Sequence, residues 1–448
     1  MKHQICVIAF TFLALLLCIV LVPEVTLQNV VAQTQTTTSL LSNESSSDDW
    51  PMFHHDLQHT GVSTSVFSDG SLLWQFHTGD KIRSSAAVVD GVVYDGSNNG
   101  YVYAFNAANG SVIWQYNSGS QVESSPAVVN GVVYIGILWD GHNGCVCALN
   151  ATDGSLIWRY ATNSGIESSP VVVNGVVYIG SYYGYVYALN ATNGALIWSY
   201  LTGGSVFSSP AVVNGIIYVG SGDDIVYTLN AVNGALIWSF QTGGTVYSSP
   251  VVVDGVVYVG SQDHNVYALN ASDGSQIWRY TTGGFVDPSP AVAGGKVYVN
   301  SGNGYVYALN AVDGSLIWSV LAGYGLHNAN AYTYSSPAVA GNVVYVGSYD
   351  GYVLALKSSD GSIIWSHRTG AFVFSSPAIA NGMVYIGSFD GNVYAFSTFS
   401  ALSLSSTPTP TPSTDSDSLT NPELDAYTHT NSYAAPCYHF PANCIGRC

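Results

Sequence analysis

Charge of either sign is scarce in this chain of 448 residues, and positive charge is scarcest. Only 8% of the residues are charged, against roughly 25% in ordinary soluble domains. Nine Lys and Arg face 27 Asp and Glu, a formal net charge of −18. That balance excludes an electrostatic footprint for nucleic acid. Vicinal cysteines, a Ser-His-Asp constellation, a phosphate-binding loop and a paired-carboxylate motif are all missing, so no motif announces an enzyme class. Gly-rich stretches such as Thr242-Gly-Gly-Thr245 read as connectors. No helical apolar period competes anywhere between residues 70 and 396.

What the chain has instead is repetition. Trp74, Trp114, Trp158, Trp198, Trp238, Trp278, Trp318 and Trp365 recur 40, 44, 40, 40, 40, 40 and 47 residues apart. A period near 40 with strand-like content marks a propeller or a solenoid array. Each unit reads as four short strands, A to D, because β-branched and aromatic runs are cut by turn pairs. The A–B turns are Asn-Gly or Asp-Gly pairs such as Asn130-Gly131 and Asp254-Gly255, residues that tolerate the positive φ of a two-residue hairpin. The C–D turns carry the same chemistry, from Asn109-Gly110 to Asp360-Gly361.

The ends select between the two architectures. Openings of strand A occur at Ser84, Ser124, Ser168, Ser208, Ser248, Pro288, Ser335 and Ser375. The last unit stops after Tyr394-Ala395-Phe396 with no Trp-bearing strand D, whereas Ser71–Gly79 is a strand D with no A, B or C before it. A solenoid would want capping repeats. A ring closed by its N-terminal strand leaves no such edge. The sequence therefore predicts an all-β, eight-bladed β-propeller of four-stranded blades, closed by pairing the N-terminal strand with the last blade.

The stretch Ala188-Leu-Asn190-Ala-Thr-Asn193-Gly194-Ala-Leu-Ile-Trp198 resembles the tryptophan-docking motif of the pyrroloquinoline-quinone (PQQ) repeat family, which runs Ala, any, Asp, two free, Thr, Gly, Lys, two free, Trp. Six further units match in register, most with Asn for the motif Asp and all with Asn or Asp for its Thr. The lead-in Trp50–Gly61 resembles that of many members. The resemblance spans residues 50 to about 397. It implies that the eight tryptophans pack between blades, that the turn Gly admits them, and that the lead-in, with His54, His55 and His59, is a structural wrap.

Outside the array, residues 1–32 read as a signal peptide, or as an uncleaved signal anchor, with an apolar run from Ile5 to Val22. Residues 33–49 read as a Ser/Thr-rich disordered segment, 50–400 as the propeller, 401–422 as a Thr/Pro-rich linker and 423–448 as a Cys-containing tail. A secreted or cell-surface monomer is expected, with no membrane span in the mature chain unless the signal is uncleaved. Cys145 and Cys147 read as small core residues. Cys437, Cys444 and Cys448, near His439, match no familiar zinc spacing and read as thiols on a flexible end.

Comparing the repeats locates a candidate site. The A–B and C–D turns share one face of the disc and hardly vary. The B–C and D–A loops share the other, and both insertions fall there, within 139–143 and 323–332. Binding residues concentrate on variable loops of a rigid scaffold. Just before strand A, at the channel mouth, stand Arg83, Glu123, Glu167, Phe207, Tyr247, Asp287, Tyr334 and Phe374. A polar arc opposite an aromatic arc suits a planar or sugar-like ligand. In the B–C loops, Asp350-Gly351 and Asp390-Gly391 are hairpin turns, while Asp223, Asp224 and Asp263 escape that account and are candidate Ca2+ ligands. Sequons at Asn109, Asn150, Asn190 and Asn270 lie at C–D turns and would place glycans on the monotonous face.

Two function classes follow. The first is a non-catalytic scaffold that binds a surface protein or glycan through the variable face and needs no cofactor; it resembles the assembly-factor propellers of the family. The second is a quinoprotein dehydrogenase of alcohols or sugars using PQQ and Ca2+. The resemblance to those enzymes implies a vicinal disulfide, a basic residue on the quinone, Glu and Asn among the calcium ligands and a catalytic Asp. Here Arg83 is the only basic ring member and Asp287 the best candidate base. The binding class is the expected one.

Overall fold

A computed structural model describes residues 49–65, 70–138, 144–162, 164–322 and 334–397. The expected signal and tail segments, with Cys437, Cys444 and Cys448, and both loop insertions lie outside these residues. Among the described residues no helix is long and apolar enough to cross a membrane.

The first complete blade shows how the repeat folds. Strand A (Ala87–Val89) turns through Asp90-Gly91 into strand B (Val92–Gly96), which pairs antiparallel with strand C (Tyr101–Asn106), itself paired with strand D (Val112–Asn117). Asp90 and Gly91 sit at φ 51° and 73°, the left-handed pair that a two-residue hairpin requires and that Asp-Gly and Asn-Gly supply at least strain. Strands A to C are buried on both faces, which is why they read as continuous apolar runs; strand D alternates and forms the rim.

Eight such sheets form the ring. Closure is as the sequence predicts: Leu72–His77 is strand D of blade eight, antiparallel to Asn392–Ser397, with Gln75 opposite Tyr394. A further short strand, Val62–Ser63, adds in parallel to strand A of blade seven (Ala338–Ala340).

The tryptophans tie each blade to the next. Trp158 Nε1 donates to Ala191 O at 2.8 Å, and its ring lies flat on Gly194 in the neighbouring C–D turn, where an added Cβ would stand 2.6 Å from the indole. Trp74, Trp114, Trp198, Trp238 and Trp278 repeat this with the next blade's Ala carbonyl, and Trp318 with Ser358 O. Trp365 covers Gly70, two residues before the closing strand.

The lead-in crosses the channel at its A–B end. It exchanges backbone hydrogen bonds between Trp50 and Val88 and accepts from Val128, Val212, Val252, Val292 and Val339, so it touches strand A of six blades. Ser65 Oγ receives Gly382 N of blade eight. Its own Trp50, Met52, His54 and His59 side chains are buried. The wrap implied by the resemblance is therefore a strap over the floor of the channel. The B–C/D–A mouth lies at the other end.

Candidate functional site

The Ser-Ser-Pro opening of strand A fixes the mouth. The first Ser clamps its own blade: Ser208 Oγ accepts Gly220 N at 3.0 Å. The second clamps the blade before it: Ser209 Oγ accepts Ser169 N at 2.9 Å. These bonds form a closed circle of eight around the axis, from Ser85–Ser125 to Ser376–Ser85. The variable ring residue stands two positions before each circle serine, so the hoop sets the spacing of the eight side chains.

A second tier, which the sequence reading missed, lies in the B–C loop of each blade, two positions after the Gly96 equivalent: Asn98, Leu138, Tyr182, Gly222, Gln262, Gly302, Tyr349 and Phe389. Several of these meet the ring residue of the following blade with matched chemistry. Asn98 Nδ2 donates to Glu123 Oε1 at 3.1 Å, and Gln262 Nε2 to Asp287 Oδ1 at 3.0 Å. Tyr182 packs on Phe207 (5.4 Å between centroids) and Tyr349 on Phe374 (5.9 Å). Phe389 lies under the Arg83 guanidinium at 5.3 Å. The available signal was variability beside the near-constant serine that precedes each position, as at Ser97, Ser181 and Ser261.

The ring is not one polar arc facing one aromatic arc. Phe207 and Tyr247 form one aromatic pair and Tyr334 and Phe374 another, each with centroids 4.9 Å apart, and Asp287 stands between the pairs. The second pair extends into Phe372, Tyr349 and Phe389, with Tyr349 stacked on Phe372 at 4.2 Å. Arg83 Nη1 lies 3.0 Å from Glu123 Oε2. Burial, and secondarily the Glu123 charge, push Glu167 up to about 7 against the opposing pull of Arg83. Burial pushes Asp287 up to about 6 despite its bond from Gln262.

The proposed metal ligands are committed locally. Asp223 Oδ2 accepts both the Tyr227 hydroxyl and Gly203 N at 2.7 Å, and Asp263 Oδ2 accepts Tyr267 and Gly243 N. Asp390 holds Tyr394 and Gly370 N in the same way. These carboxylates clamp a B–C loop to strand C and to the adjoining D–A loop. Asp224 Oδ1 takes the Thr245 hydroxyl at 3.4 Å. Among the described residues no three His, Cys, Asp or Glu side chains converge as a metal site. Cys145 and Cys147 lie buried with sulfurs 3.6 Å apart, among Ile135, Ile137 and Val122. Each sequon Asn turns its oxygen to a backbone N–H of its own turn, as Asn190 does to Thr192.

A family model described as the outer membrane protein assembly factor BamB matches residues 62–166, 142–247 and 241–420. Among solved structures, BamB from Moraxella catarrhalis superposes with a TM-score of 0.63 at 21% identity, covering 73% of this chain and 99% of that one. Quinohemoprotein alcohol dehydrogenase from Comamonas testosteroni superposes with a TM-score of 0.68 at 17% identity, covering 80% and 82%. A europium-containing methanol dehydrogenase gives 0.67 at 14% identity, covering 81% and 100%. At these identities the likeness is one of fold. No curated protein matches the sequence.

Proposed function

Because this chain belongs to the family of the outer membrane protein assembly factor BamB, we propose that it is an exported, non-catalytic scaffold that binds a surface partner through its B–C/D–A face. One observation carries the reading. The channel is strapped at its A–B end, and the opposite mouth holds two tiers of side chains that differ from blade to blade on an otherwise constant frame. A rigid, individually decorated mouth is what selective recognition requires. The four sequons are proposed glycan sites on the opposite face, which would leave the mouth open.

The quinoprotein reading is less well supported by the same residues. PQQ is a tricarboxylate and wants cations, yet Arg83 is already paired with Glu123, and Glu167 and Asp287 present carboxylates to the mouth. Among the described residues no three His, Cys, Asp or Glu side chains converge, and Asp223 and Asp263 each already accept a tyrosine hydroxyl and a glycine N–H. The ring does not fit the quinone.

Photo-crosslinkers at Tyr334 and at Asn233, on opposite faces, test the scaffold reading. Partner adducts from Tyr334 alone are expected. Adducts from Asn233 alone, or from neither position, would sink it, and saturable binding of one equivalent of PQQ would revive the dehydrogenase.

A further inference from the structure

The two halves of the mouth are built from the same chemistry, but only one half carries a cation on its ring, Arg83, whose charge reaches across the boundary as far as Glu167. In blades seven to two the order is Tyr334, Phe374, Arg83, Glu123. The Arg83 guanidinium lies 5.8 Å from the Phe374 centroid and 5.3 Å from Phe389, and it bonds Glu123 at 3.0 Å. Lys81 adds its ammonium over Phe389 at 5.4 Å. Aromatic faces and a carboxylate thus hold a chain cation between them, the arrangement in which cation–π attraction and a charge-assisted hydrogen bond reinforce each other.

Blades three to six run Glu167, Phe207, Tyr247, Asp287. A carboxylate flanks each side of an aromatic pair, and Tyr182 extends the pair from the second tier. No Lys or Arg occupies a ring or second-tier position in these blades. Asp287 is only 6% exposed; Gln262 takes its Oδ1, and its Oδ2 is buried with no hydrogen-bond partner. A buried carboxylate oxygen left in that state costs free energy that a donor from outside would recover. The serine hoop binds Ser169 to Ser209, Ser209 to Ser249 and Ser249 to Ser289, each at 2.9 Å, two residues after these four side chains. The arc is therefore held as four neighbouring staves of one rigid wall.

We propose that the arc Glu167–Phe207–Tyr247–Asp287 receives an organic cation, a guanidinium or alkylammonium group, which takes the place that Arg83 fills in the other half of the mouth. The inference rests on the binding reading above and names the chemistry that the partner presents. A free small cation and a Lys or Arg side chain of a polypeptide share that chemistry.

Calorimetric titration of the purified full chain with tetramethylammonium, N-acetylargininamide and a neutral peptide carrying one Arg tests it, with neopentanol as the uncharged isostere. Saturable binding of the cations and none of neopentanol is expected. Glu167→Gln and Asp287→Asn should each weaken binding about tenfold, and Ser239→Ala on the rim should leave it unchanged. The carboxamide variants keep side-chain shape; Tyr182→Leu provides an independent perturbation of the same arc. A peptide that binds tighter than the amide identifies a polypeptide side chain as the source, whereas equal affinity identifies a small cation. Neopentanol binding as well as tetramethylammonium, or wild-type cation affinity in both carboxamide variants, would overturn the proposal. Adducts at Tyr334 without any cation binding would remove this inference and leave the scaffold reading standing; absence of both would remove both.

Discussion

The backbone N–H of Ser376 donates to Ser85 Oγ at 2.9 Å, joining residues 291 positions apart. It is the last link of the serine hoop and joins blade eight to blade one, while the closing strand Leu72–His77 completes blade eight. Ring closure is thus secured twice, once at the rim by strand pairing and once at the axis by a side chain.

Breaking one hoop link leaves a buried N–H without an acceptor. Ser209→Ala strips the partner from Ser169 N, a loss of about 1–3 kcal/mol. Ser239→Ala on exposed strand D should stay within about 0.5 kcal/mol. Denaturant midpoints check the pair, and equal midpoints would remove the hoop from the account of stability.

Two glycines with nearly the same φ should respond differently to a methyl group. Gly194 (φ 71°) lies under Trp158, whereas Gly215 (φ 75°) has nothing within 4 Å of an added Cβ. Gly215→Ala should cost only the left-handed strain, about 1–2 kcal/mol. Gly194→Ala must also displace the indole, for about 1–3 kcal/mol more. Thermal melts of the two variants decide it, and similar losses would contradict tight docking of Trp158.

Asp95 stands where the other blades carry Ile or Val, 1% exposed. Burial pushes it up to about 8, against bonds from Ser84 and Gly96 N. A folded value above the unfolded one means stability is fully present below the ordinary carboxylate range and is lost as pH rises through about 8. Asp95→Val should therefore stabilise the protein most above pH 8 and flatten the decline from pH 4 to 8. Unfolding free energies measured at pH 5, 7 and 9 test this; a parallel offset at all three would exclude the carboxylate as the cause.

The strap has the opposite sign. Burial pulls His54 down to about 3 and His59 to about 4. Their contribution is present above the usual imidazole range near pH 6.5 and is lost as pH falls through those lowered values. Hydrogen-exchange protection factors at residues 50–61 should fall between pH 6 and 4 before those of the blades. His54→Gln with His59→Gln should shrink that acid response; an unchanged acid profile in the double variant would assign it elsewhere.

The repeat made the fold legible because each blade is specified locally. Asn214-Gly215 demands a hairpin, Ala231–Trp238 reads as the end of a docking motif, and a solitary strand D at Ser71–Gly79 needs the strandless edge left after Phe396. The candidate face was legible for the same reason, since variation is visible only against repetition. The paired second tier was not, because Gln262 meets Asp287 and Asn98 meets Glu123 across a blade boundary. The sequence likewise left Asp223 and Asp263 open as Ca2+ ligands, whereas the fold brings Tyr227 and Tyr267, four residues on, back to those carboxylates along with a glycine N–H from the D–A loop.

Strand order, blade number and closure were therefore determined by the sequence itself, through hairpin chemistry and a 40-residue period that act within one blade or at its ends. The course of the strap over the channel floor, the serine hoop and the split of the mouth into a half with a ring cation and a half without one were decided only by tertiary structure. Each depends on groups from several blades converging on the axis, and distance along the chain carries no record of that convergence until the ring has closed.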